Sequence, residues 1–361
     1  MKKIINSFCL LLLFCACQKE KMFFTEELPN DAVSLLDLAI EEEAVIGIAA
    51  GYAKNDTVWD YSAGFSNEDT QEAFSTTTLT RLASIAKPMT AIAILQLLEK
   101  GKLNLDSPIQ EYLSDFPIKP EGDITIRHLL NHSSGIAAYK NEEEIENQVE
   151  YESIEAALAI FKDRELIATP GTAFNYTTYG YVVLGRIIEV VSGQNYETYM
   201  QENIWDIVGM TNTKVERTNE SYDNKSELYQ RNDKGEIKLA TANNLSDRIP
   251  GGGIISTLED LMKFGNGLLN NDFISKESLD LMLEIPDVEN SGIPYGLGLY
   301  LYDTIPDYGA VYGHGGGQTG ASTIFMVSPE QNFFIVVLTN TSLASDEVAK
   351  IISKLYEIAG G

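Results

Sequence analysis

The chain has 361 residues, 44% of them apolar and 22% charged, a balance typical of a soluble globular protein with room for a large core in one or two domains. Its 53 acidic residues against 26 basic ones give a net charge of −27. Nucleic-acid binding needs a basic face that displaces counterions, so no nucleic-acid partner is expected, and the acidity reads as a solubility feature.

All three cysteines, Cys9, Cys15 and Cys17, fall at the start of the chain. Lys2 and Lys3 precede an apolar run from Phe8 to Ala16, the pattern of an export signal, and that run is too short to span a bilayer comfortably. Phe14-Cys15-Ala16-Cys17 resembles a bacterial lipobox, which would make residues 1–17 a signal segment and Cys17 its lipidation site; ordinary signal cleavage is the alternative. Diacylation at Cys17 would anchor the protein to a membrane of the cell envelope, because two acyl chains hold where one does not. Cleavage there leaves no cysteine pair, so no disulfide is expected in the exported part. Residues 18–30 read as a polar tether.

Val33, Leu35, Leu36 and Leu38 recur at helical spacing and predict an amphipathic helix over Asp31–Ile40. Val45–Ala53 and Thr57–Ala63 read as strands around the turn Lys54-Asn55-Asp56. The stretch Thr78–Leu98 then places Ser84 and Lys87 three residues apart at the mouth of a helix that is apolar on all sides from Met89 onward, with Gly101 as its stop. Helical segments are expected at Leu105–Phe116, which contains a proline, at Ser153–Leu166, at Val182–Val191 with Gly193 ending it, and at Tyr196–Val208. The glutamate-rich run Asn141–Glu152 reads as a solvated loop and helix start rather than a cation-attracting rim.

Thr213–Asn244 is polar, with a hairpin expected at Asn232-Asp233-Lys234-Gly235. Pro250-Gly251-Gly252-Gly253 marks a boundary before a helix at Leu258–Leu269. Strands are expected at Tyr295–Tyr302, Ala321–Val327 and Phe333–Leu338. A last amphipathic helix contains Val348, Ile351, Ile352 and Leu355, with Ser345 as its N-cap. Strands at both ends and helices between them predict an α/β (α+β) fold. Its antiparallel sheet is built from both chain ends (about 31–107 and 251–361) and flanked by helices, with an all-helical insertion at about 108–250 and a site in the cleft between the parts.

On a helix, positions i and i+3 share a face, so the Ser84 hydroxyl and Lys87 amine can meet. The chain has only three histidines, no G-x-S-x-G elbow, no H-E-x-x-H and no P-loop, so histidine-activated, zinc and nucleotide chemistry lack their motifs, and no metal or cofactor is expected. Lys87 is the remaining activator of Ser84. Lowering a lysine pKa from ~10.4 to ~7.5 takes roughly 4 kcal/mol of differential interaction, and burial and a helix N-terminus both act in that direction.

Five motifs in order then carry a resemblance. They are Ser84-Ile-Ala-Lys87, Leu129-Leu-Asn-His-Ser-Ser-Gly135, Pro170-Gly171 with Phe174 and Tyr176, Pro250–Gly253, and Gly313-His-Gly-Gly-Gly317. From about residue 31 to the end, the chain resembles the serine hydrolase family of class C β-lactamases, D-alanyl-D-alanine carboxypeptidases and related esterases. The resemblance implies an acyl-enzyme on Ser84, Lys87 as proton acceptor, Tyr176 as proton relay and His314 as a further catalytic residue. It implies an oxyanion hole from the N–H groups of Ser84 and Gly317, and substrate contacts at Thr178, Gly315 and Gly316.

Many members have Tyr-Ser-Asn where this chain has Tyr176-Thr177-Thr178, and a threonine hydroxyl cannot grip an amide in the same bidentate way. Two substrate classes follow as expectations: D-Ala peptides or β-lactams, and the esters or other peptides that Thr178 favours. A binding module without turnover is the third reading. His128 and His132 are expected to fix the Leu129-Leu130 turn.

Overall fold

The computed structural model describes residues 28–232, 234–289, 292, 294–305 and 309–359; Cys17 and the signal segment lie outside these. Phe333–Thr339 organises the architecture. Alternate side chains of a strand point to opposite faces, and here both faces are apolar: Phe334, Val336 and Leu338 join one core, Phe333, Ile335 and Val337 another. Such a strand must lie at the centre of a sheet covered on both sides.

Its neighbours come from opposite ends of the chain. Gly47–Lys54 pairs with it antiparallel, Ile48 opposite Thr339 and Lys54 opposite Phe333, and Ala321–Ser328 flanks it on the other side. The antiparallel sheet has seven strands. Running from edge to edge, they are Glu72–Ala73, Thr57–Asn67, Gly47–Lys54, Phe333–Thr339, Ala321–Ser328, Gly309–Gln318 and Tyr300–Ile305. Helices Ala32–Glu41 and Ser345–Ile358 cover one face through Leu35, Leu36, Val348 and Ile352, and helix Ala86–Glu99 lies in the core on the other. That helix is buried from Ala86 through Leu97, and Gly101 ends it with φ +64, its N–H bonded to Leu98 O at 2.9 Å.

Between the two sheet-forming parts the chain is mainly helix and turn, with Thr178–Ser192 as the longest helix and Gly193 (φ +78) as its cap. The expected all-helical insertion also contains short strands at Lys214–Val215, Tyr229–Arg231 and Ile237–Leu239; the last two form the expected hairpin, although Asp233 in its turn is outside the described residues. Leu105–Phe116 is a chain of turns with one 3₁₀ turn at Ile109–Glu111. Asn104, Asp106 and Ser107 favour turns, and Leu105, Ile109, Leu113 and Phe116 are buried without needing a helix. The helix from Ser153 stops at Leu158, because Lys119 Nζ bonds the carbonyls of Lys162 and Arg164, each at 2.6 Å, and supplies the partners a longer helix would have provided.

Ser345 is the first helical residue rather than the cap; Ala344 takes the cap position. Tyr295–Tyr302 becomes a strand only at Tyr300, because Gly298 (φ +98) turns the chain and Gly296 N–H bonds Leu299 O at 2.8 Å. The helix Lys276–Leu283 was not foreseen. Among the described residues no helix is long and apolar enough to cross a membrane.

Candidate active site

Ser84 sits in the single 3₁₀ turn Ala83–Ile85 that feeds the buried helix. Ala83, just before it, has φ +50, a left-handed conformation that costs a non-glycine residue roughly 1–2 kcal/mol. That strained step is held from behind by the strand Gly309–Gln318. A Cβ on Gly316 would come 2.3 Å from Thr323 Oγ1, 2.6 Å from Leu82 O and 3.0 Å from Ala83 Cβ, so only glycine lets the strand touch the turn.

Lys87 is fully buried one turn along, with Nζ 2.9 Å from Ser84 Oγ, 2.8 Å from Gly251 O and 3.3 Å from Thr178 Oγ1. Burial holds its pKa well below the ordinary lysine value, and the Arg248 guanidinium adds to this. A neutral amine has two N–H groups and one lone pair. Gly251 O and Thr178 Oγ1 take the two hydrogens, which leaves the lone pair for the Ser84 hydroxyl.

Pro250–Gly253 is fixed along the same helix, since Thr90, one turn on, donates to Pro250 O at 2.6 Å. Gly251 must be glycine here because a Cβ would lie 2.6 Å from Thr178 Cγ2. Thr178 is the first residue of its helix and Thr177 the N-cap, so the Tyr176-Thr177-Thr178 segment is aimed at Lys87 by the start of the helix.

The Tyr176 hydroxyl donates to Ser84 Oγ at 3.0 Å, and burial raises its pKa well above the ordinary tyrosine value, so it works as a neutral donor. His132 lies beneath it with ring centroids 4.2 Å apart, and its Nδ1 accepts from Thr177 N–H at 3.3 Å. His132 was expected only to fix a turn; its own φ of +59, which swings the ring under Tyr176, is not visible in sequence. His128 does fix the turn, through a reciprocal capping pair with Thr125.

Ser84, Tyr176, Thr178, His314, Gly315 and Gly317 all border one cavity of about 430 Å³, whereas Gly316 faces the Leu82-Ala83 backbone and not this cavity. Both nitrogens of the His314 ring are engaged by groups other than Ser84. Nδ1–H donates to Gly315 O at 2.6 Å, so Nε2 accepts from Tyr295 O–H at 3.1 Å. Burial, with Lys87 nearby, drops its pKa to about 3, so His314 is neutral and positions the glycine strand and Tyr295. Among the described residues no group of three or more His, Cys, Asp and Glu side chains is placed to hold a metal.

A seven-stranded antiparallel sheet between helical layers, with a serine, a buried lysine and a tyrosine hydroxyl converging at a helix mouth, defines a serine hydrolase of the β-lactamase fold. The Beta-lactamase family model matches residues 33–355, and the chain belongs to that family. It is 28% identical to penicillin-binding protein 4* of Bacillus subtilis over 85% of this chain and 70% of that one. It is 27% identical to the human mitochondrial serine beta-lactamase-like protein LACTB over 82% and 71% of the two chains. The structure of a D-stereospecific amidohydrolase from a Streptomyces species superposes with a TM-score of 0.76 at 26% identity, over 90% of this chain and 97% of that one.

Proposed function

We propose that the protein is an exported, lipid-anchored serine hydrolase that cleaves an amide or ester through an acyl-enzyme on Ser84. The observation that carries this reading is the convergence on Ser84 Oγ of the Tyr176 hydroxyl at 3.0 Å and of Lys87 Nζ at 2.9 Å, the lysine being held by Gly251 O and Thr178 Oγ1. In the proposed reaction Ser84 Oγ attacks the substrate carbonyl as its proton moves to Lys87 Nζ. The oxyanion is held by the N–H groups of Ser84 and Gly317. Collapse breaks the bond to the leaving group, which takes a proton from the Tyr176 hydroxyl as Tyr176 is reprotonated from Lys87. Water then adds to the acyl-serine by the reverse relay, releasing the acid and restoring Ser84 Oγ–H.

Thr178 favours esters and amides that need no bidentate grip at that position, because its one hydroxyl oxygen, which already accepts from Lys87, lacks the second polar atom of an amide. Penicillins and D-Ala peptides form the second reading, supported by the penicillin-binding relative. Intact mass measurement of wild type and Ser84→Ala with a penicillin and, separately, an activated short-chain ester tests both. A Ser84-dependent adduct or turnover is expected. Equal reaction of Ser84→Ala, or an inert wild type, would overturn the assignment. Export and anchoring rest on the Lys2-Lys3 and Phe8–Cys17 pattern and on the bacterial penicillin-binding relative. They predict that Cys17→Ala moves the protein out of the membrane fraction, and an unchanged distribution would remove the anchor.

A further inference from the structure

The cavity around Ser84 has an unusual charge pattern. Among its described lining residues the charged side chains are Glu146 and Arg248. The Arg248 guanidinium is already engaged: it bonds both Asp247 carboxylate oxygens at 2.8 and 3.0 Å and Glu144 O at 2.6 Å, and its carbon lies 4.6 Å over the Tyr139 ring. Lys87 is not among the residues that line the cavity, and burial keeps the His314 ring neutral. No free cation therefore lines the cavity among the described residues, and one carboxylate does.

Glu146 is held in place rather than trailing in solvent. Its carboxylate accepts from Thr319 Oγ1 at 3.0 and 2.8 Å, and no lysine or arginine pairs with it among the described residues. The segment carrying it is fixed from three directions: Arg164 pairs with Glu144 at 2.6 Å, Asn243 Nδ2 bonds Ile145 O at 3.2 Å, and Tyr179 O–H bonds Glu144 at 3.1 Å. Behind it, buried Arg81 grips Asn243 Oδ1 at 2.6 Å and Thr319 O at 2.9 Å, so the two residues that position Glu146 share one anchor. Thr319 stands two residues past Gly317. At about 3.3 Å per extended residue that is roughly 6.6 Å of backbone, and Ser84, Gly317, Thr319 and Glu146 all border the same cavity. Tyr139, Phe174, Tyr300 and Tyr302 complete the wall as apolar and cation-tolerant surface.

We infer that this hydrolase selects acyl groups bearing a free amino group on an apolar body, with Glu146 receiving the ammonium, and that it discriminates against substrates carrying a carboxylate at this end. The inference rests on the Ser84 acyl-enzyme reading. It absorbs one glutamate of the run that the sequence presented as a solvated loop; Glu142 and Glu143 remain exposed.

The test compares the methyl esters of D- and L-phenylalanine with methyl 3-phenylpropanoate, which lacks only the amine. Each kcat/KM is normalised to the ester's hydroxide hydrolysis, using the purified full chain. A charge-assisted contact of this kind predicts a preference of roughly 10- to 100-fold for one amino ester. Glu146→Gln should collapse that ratio to near unity and Glu146→Asp should keep most of it. A wild-type ratio near one, a ratio unchanged in Glu146→Gln, or equal loss in both variants overturns the inference. Turnover of methyl 3-phenylpropanoate without amine preference removes this inference alone. Absence of Ser84-dependent turnover of either ester removes the underlying reading with it.

Discussion

Gly316→Ala isolates the contact that holds Gly317, the proposed oxyanion donor, against the Ser84 turn. The added methyl would lie 2.3 Å from Thr323 Oγ1, 2.6 Å from Leu82 O and 3.0 Å from Ala83 Cβ. None of these is a free side-chain end: Thr323 Oγ1 is itself bonded to Leu82 O at 3.0 Å, and Leu82 N–H to Ile254 O at 2.9 Å. Restoring ordinary contact needs a displacement of roughly 1 Å between the strand and the Ser84 turn, and an error of that size in a reacting geometry costs ~10²-fold in rate. Because Gly317 is the next residue, loss of its N–H as a donor gives the same order, ~10²–10³. Overpacking alone would cost about 1–3 kcal/mol of stability.

Steady-state kinetics with an activated ester, paired with thermal unfolding, separates the two effects. Gly51→Ala is the comparison. It overpacks the same sheet, against Met262 Sδ at 2.8 Å and Trp59 O at 3.1 Å, at a position that does not border the cavity. Gly51→Ala should lower Tm with kcat intact, whereas Gly316→Ala should lower kcat about 100-fold. A folded Gly316→Ala enzyme with kcat within a factor of about three of wild type would refute the idea that this contact sets the oxyanion geometry.

Two further outcomes follow from buried bases. Activity should rise with pH as Lys87 loses its proton, at a pH well below the ordinary lysine value, then level off; Lys87→Arg, permanently charged, should lose ~10²–10⁴-fold, and retained activity in that variant would exclude Lys87 as the base. His314 has its folded pKa near 3 against 6.5 when unfolded, so the unfolded state takes up the proton first as pH falls. Its contribution is complete above pH 6.5 and is lost between 6.5 and about 3, up to about 5 kcal/mol. Denaturant titrations should therefore show the stability gap between wild type and His314→Gln shrinking as pH drops through that window, and a gap independent of pH would contradict the neutral, buried assignment.

Much of this site was legible because short-range chemistry dictates it. Ser84 and Lys87 meet through helix periodicity, the continuous apolar run after Met89 can only be a buried helix, and Leu258–Leu269 begins and ends where its Thr257 cap and apolar spacing require. What escaped depends on contacts between distant segments. The turn at Gly298 that delivers Tyr295 to His314 interrupts a run of strand-forming residues and leaves its trace only in backbone angles. The left-handed Ala83 is tolerated because Gly316, more than 200 positions on, leaves room for its Cβ. His132 reads as a turn residue because its motif is local, whereas its position under Tyr176 is set by the Thr177 N–H.

Thr178 links the chemistry of the nucleophile to the choice of substrate. A neutral Lys87 is stable at the centre of the core only if both its hydrogens find acceptors, since each unsatisfied buried polar group costs about 1–3 kcal/mol. Gly251 O supplies one acceptor and Thr178 Oγ1 the other. An asparagine at this position has an oxygen for the lysine and an amide NH₂ with two N–H donors to spare; a threonine that accepts from the lysine keeps only one O–H donor, on the same atom. Thr178 therefore supplies the acceptor that Lys87 needs while offering one donor where an asparagine amide would offer two. A second polar group borders the same cavity, the carboxylate of Glu146 held by Thr319, together with Tyr139, Phe174, Tyr300 and Tyr302. A carboxylate such as Glu146 favours a cationic group, where an amide at position 178 would be neutral. With Thr178 at the helix mouth and Glu146 bordering the same cavity, the proposed selection falls on a substrate ammonium and not on a bidentate amide contact.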